Sequence, residues 1–224
     1  MSKRWLFFAL CVLLCGGTAV WIHSFYKRPL LIVGCARSGT TYTAAVLKAA
    51  GWKIQHERVK RDGAVSWELV FDDTQHVPWG SARKGRQFAH IFHQVRDPLR
   101  TISTVCHAEG PLQKSWNYIL AHIPEISPQD SLLLKSAKYW YYWNLKAEAM
   151  SEWTYRLEDF GQVREEFERR VGKRVPREAL DRVPRNANAS GPHHQFTWEE
   201  LQQELDPELY ENIRHLAEHY GYKL

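Results

Sequence analysis

Eight residues, Gly34-Cys35-Ala36-Arg37-Ser38-Gly39-Thr40-Thr41, follow the apolar run Leu30-Leu31-Ile32-Val33. Their outline is that of a phosphate-binding turn: a glycine, four residues, a second glycine, then a pair of hydroxyls. Backbone N–H groups at a helix start attract anions, and the helix dipole adds to that attraction. Ser38, Thr40 and Thr41 bring hydroxyl donors, and Arg37 brings a planar fork suited to phosphate or sulfate oxygens. In the nucleoside-triphosphate version of this turn, lysine follows the second glycine and reaches the β- and γ-phosphates. Thr40 stands there instead, and the nearest cation, Arg37, precedes the glycine. The chain also lacks an apolar strand ending in an acid that would hold Mg²⁺. Both departures argue against an ATP or GTP hydrolase.

A second anion site is expected at HQVRDPLRTISTV, residues 93–105. Arg96 falls at the end of an apolar run, and Pro98 suits the first turn of a helix capped by Asp97. Ser103 and Thr104 would then lie on the second turn. Arg96 with one of these hydroxyls would hold a phosphate separate from the first. A group that takes a proton from an acceptor is expected at His56 or Glu57, in the stretch IQHERVKRDGAVSW that reaches the same sheet edge. His90 and His93 are read as alternating on one strand face, which would suggest a metal, but the spacing supplies no third ligand, so no metal is expected.

Strands alternating with helices must position these groups. Strands are expected at Pro29–Val33, Trp52–His56, His90–Val95 and Trp153–Leu157. Helices are expected at Thr41–Ala50, Ser66–Asp72, from Pro98, at Ser131–Met150, Gly161–Val171, Thr197–Leu205 and Pro207–Tyr220. A polar loop runs from Pro184 to His194. The fold class is α/β, a three-layer α/β/α arrangement around a parallel sheet. Right-handed crossovers put the loops after the strands on one edge, where ligands bind in such sheets. The run Tyr139-Trp140-Tyr141-Tyr142-Trp143 reads as core packing.

Taken together, Gly34–Thr41 followed by Arg96-Asp97-Pro98 with a hydroxyl eight residues after the arginine resembles the sulfotransferase family. These enzymes use 3′-phosphoadenylyl sulfate as donor. The resemblance implies a P-loop type fold, a first loop that holds the donor's 5′-phosphosulfate through Arg37, Ser38, Gly39, Thr40 and Thr41, and a 3′-phosphate held by Arg96 with Thr104 or Ser103. It implies in-line transfer to a hydroxyl, a carbohydrate acceptor, and a carboxylate base, which favours Glu57 over His56. Arginine at position 37 replaces the lysine of the soluble branch, and that branch's late Arg-Lys-Gly segment is missing. A donor of this kind has no γ-phosphate, so it needs no lysine beyond the second glycine. The alternatives are a kinase or other phosphotransferase with an atypical loop, and a membrane-tethered binding protein without activity.

Trp5 to Tyr26 is a run of 22 residues without Asp, Glu, Lys or Arg. As a helix it would span roughly 33 Å at about 1.5 Å per residue, enough for a hydrocarbon core of about 30 Å. Residues 1–28 are therefore expected to be a membrane anchor, with a cleaved signal peptide as the rival reading, and 29–224 the catalytic domain. That makes a single-pass membrane protein, Golgi type II in a eukaryote or inner-membrane in a bacterium. The chain carries 30 basic and 25 acidic residues. Setting aside Lys3, Arg4, Lys27 and Arg28 leaves 26 against 25, which excludes a broad nucleic-acid footprint and makes any anion site local. Cys35 and Cys106 are expected as unpaired thiols, with a bridge between them the alternative.

Overall fold

The structure, a computed structural model, describes residues 27–72, 77–108, 111–184 and 191–224. The expected anchor falls outside them apart from its last two residues. So do Arg185 and Asn186. Among the described residues, no helix is long and apolar enough to cross a membrane.

Four parallel strands form the sheet, in the order β2-β1-β3-β4. They are β1 (Arg28–Val33), β2 (Gly63–Val65), β3 (Phe88–Val95) and β4 (Trp153–Arg156). The helices are α1 (Thr40–Ala49), α2 (Pro98–Cys106), α3 (Pro111–His122), α4 (Leu132–Ala149), α5 (Phe160–Val171), α6 (Arg177–Asp181), α7 (Trp198–Glu204) and α8 (Pro207–His219). Single 3₁₀ turns stand at Glu68–Val70 and Leu157–Asp159.

Leu30 to Val33 are fully buried, because β1 is central and covered on both faces. Successive side chains of a strand point to opposite faces. Leu31 and Val33 enter one apolar cluster, with Ile102 of α2, Tyr139, Trp140 and Trp143 of α4, and Ile213 of α8. Leu30 and Ile32 enter the other, with Val46 and Leu47 of α1 and Phe160 and Phe167 of α5. Helices therefore pack on both sides of the sheet. Burying one such side chain contributes about 1.5–3 kcal/mol. The aromatic run of α4 is core, as expected: Tyr139, Trp140 and Trp143 are fully buried, and Trp67 packs edge-on to Tyr139 and at a tilt to Trp143.

The second strand differs from expectation. Gly63–Val65 lies beside β1, not Trp52–His56. Residues 53–57 run outside β2 and make only scattered bonds to it, Val65 N–H to the Gln55 carbonyl and Glu57 N–H to the Val65 carbonyl, with one isolated bridge at His56. Trp52 is buried by α5 and holds the Arg174 carbonyl through its indole N–H. The apolar residues that suggested a strand there are thus spent on a helix face. The helix expected over 66–72 is reduced to the single 3₁₀ turn. Helices α3 and α6 were not expected.

Candidate functional site

The order β2-β1-β3-β4 reverses direction at β1. From β1 the chain crosses through α1 to β2 on one side, then returns to β3 on the other. Helix α1 packs on one face of the sheet and α2 on the other. The loops after β1 and β3 therefore open into one crevice at the carboxyl ends of the strands, the place where open α/β sheets bind ligands.

The loop after β1 is held open by its backbone. Arg37 has φ 68° and Gly39 φ 86°, both left-handed. For Gly39 this is free of strain, whereas an arginine tolerates it only where surroundings enforce it. Those surroundings are visible. The Tyr139 hydroxyl accepts the Ala36 N–H at 2.8 Å. The Gln94 side-chain amide donates to the Ser38 carbonyl at 2.8 Å, and its oxygen accepts from Thr43 and from Tyr155. Ser38 Oγ turns inward to the Cys35 carbonyl at 2.7 Å. Helix α1 opens at Gly39 with no side-chain cap.

Arg96 meets this loop directly. Its Nη1 donates to the Arg37 carbonyl at 2.9 Å. Burial lowers the proton affinity of both guanidinium groups, and the charge of Arg96 lowers that of Arg37 further. On the Arg96 side, Glu158 and Asp97 oppose the effect. Two like charges are thus held near each other in a partly dry crevice, with Glu158 and Asp97 beside Arg96. Asp97 caps α2 as expected, accepting the Arg100 N–H at 2.8 Å.

The two hydroxyls on α2 separate. Ser103 is fully buried, and its Oγ accepts the Phe196 N–H at 2.8 Å. It tethers the late segment to α2. Thr104 Oγ1 donates to the Arg100 carbonyl and lies 3.4 Å from His193 Nε2. His193 therefore joins Thr104 on the same wall, with His107 stacked on Phe196 beside it. Nothing in the spacing of His193 from the earlier motifs signals this, because only the Ser103–Phe196 tether brings it there.

On the opposite side of the loop, His56 Nε2 is 3.0 Å from Thr40 Oγ1, 3.4 Å from Thr41 Oγ1 and 2.9 Å from Glu57 Oε1. The His56 side chain is 31% exposed and that of Glu57 only 6%. Glu57 also accepts from Ser66 Oγ and from the Trp67 N–H. The ring nitrogen facing Glu57 is Nε2, so a neutral imidazole that donates to the carboxylate there has its lone pair on Nδ1. His56 Nδ1 has no hydrogen-bond partner among the described residues. Glu57 sits at φ 57°, a conformation that costs on the order of 1–3 kcal/mol and clusters at functional sites.

The remaining expectations resolve simply. Residues three apart on a strand face opposite sides, and His90 and His93 diverge accordingly. His90 pairs with Glu152 at 2.7 Å, whereas His93 is buried between Thr154 and Asn144, and burial lowers its pKa to about 4. No cluster of three or more His, Cys, Asp or Glu among the described residues could hold a metal ion. Cys35 and Cys106 are both free thiols. A cleft of about 580 Å³ opens along β4. Its carboxylates Glu148, Glu152 and Asp159 are already engaged by His219, His90 and Arg156.

No protein-family model matches the chain, and no curated protein matches it.

Proposed function

We propose that the chain is a membrane-anchored sulfotransferase of the P-loop type, with a three-layer domain that moves a sulfuryl group from 3′-phosphoadenylyl sulfate to a carbohydrate hydroxyl. One observation carries this reading: Arg96 and the Gly34–Thr41 loop share one crevice, with Arg96 bonded to the loop at Arg37. In this reading the 5′-phosphosulfate lies on the loop under Arg37, Ser38, Gly39, Thr40 and Thr41. The 3′-phosphate lies against Arg96 and Thr104, with His193 on the same wall. Ser103 supports that wall from behind.

The chemistry follows from the His56–Glu57 pair. The acceptor oxygen attacks sulfur in line, its proton passes to His56 Nδ1, and the S–O bond to the 5′-phosphate breaks with its electron pair on the phosphate. Glu57 holds the imidazole and balances the imidazolium that forms. Between the two candidates for the base, exposure favours His56 as the group that touches the acceptor and Glu57 as the group behind it. The loop donors and Arg37 stabilise charge on the leaving phosphate, where loss of one donor costs about 2.7–4 kcal/mol of barrier lowering. The products are a sulfate ester and adenosine 3′,5′-bisphosphate.

Thermal unfolding of the full chain in detergent with each nucleotide tests the donor. Adenosine 3′,5′-bisphosphate is expected to raise Tm, and Arg96→Ala to weaken the bisphosphate far more than adenosine 5′-phosphate. Stabilisation by ATP–Mg²⁺ alone identifies a phosphotransferase instead, and stabilisation by neither nucleotide a protein without this site.

A further inference from the structure

Behind the His56–Glu57 pair lies a second carboxyl group, that of Glu68. It is fully buried. Its Oε1 accepts the Trp79 N–H at 2.7 Å, and the Gly80 N–H also bonds to the carboxyl group. Its Oε2 is sealed from solvent and meets no donor. For an ionised carboxylate, that oxygen would be a desolvated charge without a partner, which costs several kcal/mol. For a protonated carboxyl it is a donor, and the Glu57 side chain is close enough to hydrogen-bond with the Glu68 carboxyl group.

We propose that Glu68 is a positioning residue: it holds a single proton in the buried space it shares with Glu57 and donates it to the Glu57 carboxylate, which fixes Glu57 for its bond to His56. The inference rests on the transferase reading for the role of Glu57, though not for the shared proton itself. Two carboxyls in contact take one negative charge between them far more readily than two. Burial and the charge of Glu57 together push the Glu68 pKa up to about 8.

The surrounding geometry makes the pair rigid. Ser66 Oγ donates to Glu57 and accepts the N–H groups of Glu68 and Leu69. The Ser81 N–H bonds the Glu57 carbonyl. A Cβ on Gly80 would stand 1.7 Å from that carbonyl oxygen, so only glycine lets the 79–81 segment close over both acids. The titratable groups facing the pair are His56 from the segment outside β2, Tyr139 of α4, which feels both acids, and Cys35 behind Tyr139. Tyr118 of α3 donates to the Glu68 carbonyl.

Infrared difference spectroscopy during pH titration of the full chain tests the shared proton without any substrate. A carboxyl C=O band that disappears as pH rises through about 8 is expected, and it should be missing in Glu68→Gln. A wild-type chain whose last carboxyl titrates below about pH 6, still near the ordinary range, overturns the proposal, whether or not the chain is a transferase. The positioning role is read from activity against pH. Transfer should decline on the alkaline side in the wild type as a second charge appears beside Glu57. Glu68→Gln, whose amide still donates, should retain more transfer than Glu68→Leu and lose the alkaline decline. An unaltered profile in Glu68→Gln overturns the role. A chain that shows the alkaline-titrating band but no sulfuryl transfer sinks the donor reading and leaves the proton with the pair.

Discussion

His56 and Glu57 are the residues at which chemistry and strain coincide. The imidazole touches the Thr40 and Thr41 hydroxyls of the loop and the buried carboxylate, and the carboxylate sits on a left-handed backbone. His56→Ala should leave bisphosphate affinity near that of the wild type and lower transfer by about 10²–10⁴-fold, the usual range for a general base. Single-turnover rates at saturating donor measure this directly. Glu57→Gln should lower transfer as well, because the imidazolium loses its counter-charge. If Glu57→Gln silences transfer while His56→Ala leaves it intact, the proton goes to the carboxylate. Glu68 adds a pH term to stability. A carboxyl that holds its proton more tightly folded than unfolded favours the folded chain less as pH rises from its ordinary value, 4.5, to about 8, and the loss is complete above that. Wild-type stability should therefore fall relative to Glu68→Gln across that interval, as denaturant midpoints at several pH values would show.

At the scale of elements, Gln94 joins three of them. Its amide binds the loop after β1, the first helix and the last strand. Gln94→Ala leaves the Ser38 carbonyl, Thr43 and Tyr155 without that partner, at about 1–3 kcal/mol for each buried group left unpaired. Urea unfolding should register the loss, and bisphosphate affinity should fall because the loop is no longer fixed. The loop itself was legible in the sequence, since a glycine turn after an apolar run has few other readings, and so were the Asp97 cap and the long aromatic helix. The second strand was not. Gly63-Ala64-Val65 is too short to show a period, while Trp52 and Ile54 carry apolar character that belongs to a helix contact. Gln94 was equally hidden, because a glutamine inside a strand gives no local sign of the three groups it will meet. The separate roles of Ser103 and Thr104 depend on Phe196, which lies more than ninety residues away in the chain.

Across the whole molecule, the sheet divides two apolar clusters with separate members, and β1 contributes alternate residues to each. Ile32→Val on one face and Ile102→Val on the other should each cost about 0.5–1.5 kcal/mol. With no shared partners the double variant should equal their sum within about 0.5 kcal/mol, measured by equilibrium unfolding. A larger departure would mean that the two faces respond as one body. The crevice, by contrast, draws its walls from distant parts of the chain. Phe196 is pinned to Ser103, His193 meets Thr104, and Tyr222 reaches Glu158, which in turn holds the Asp97 N–H. During synthesis the loop and Arg96 leave the ribosome well before residue 193. The sheet can therefore form before the wall carrying His193 and Phe196 arrives, and the crevice is the later of the two to be completed.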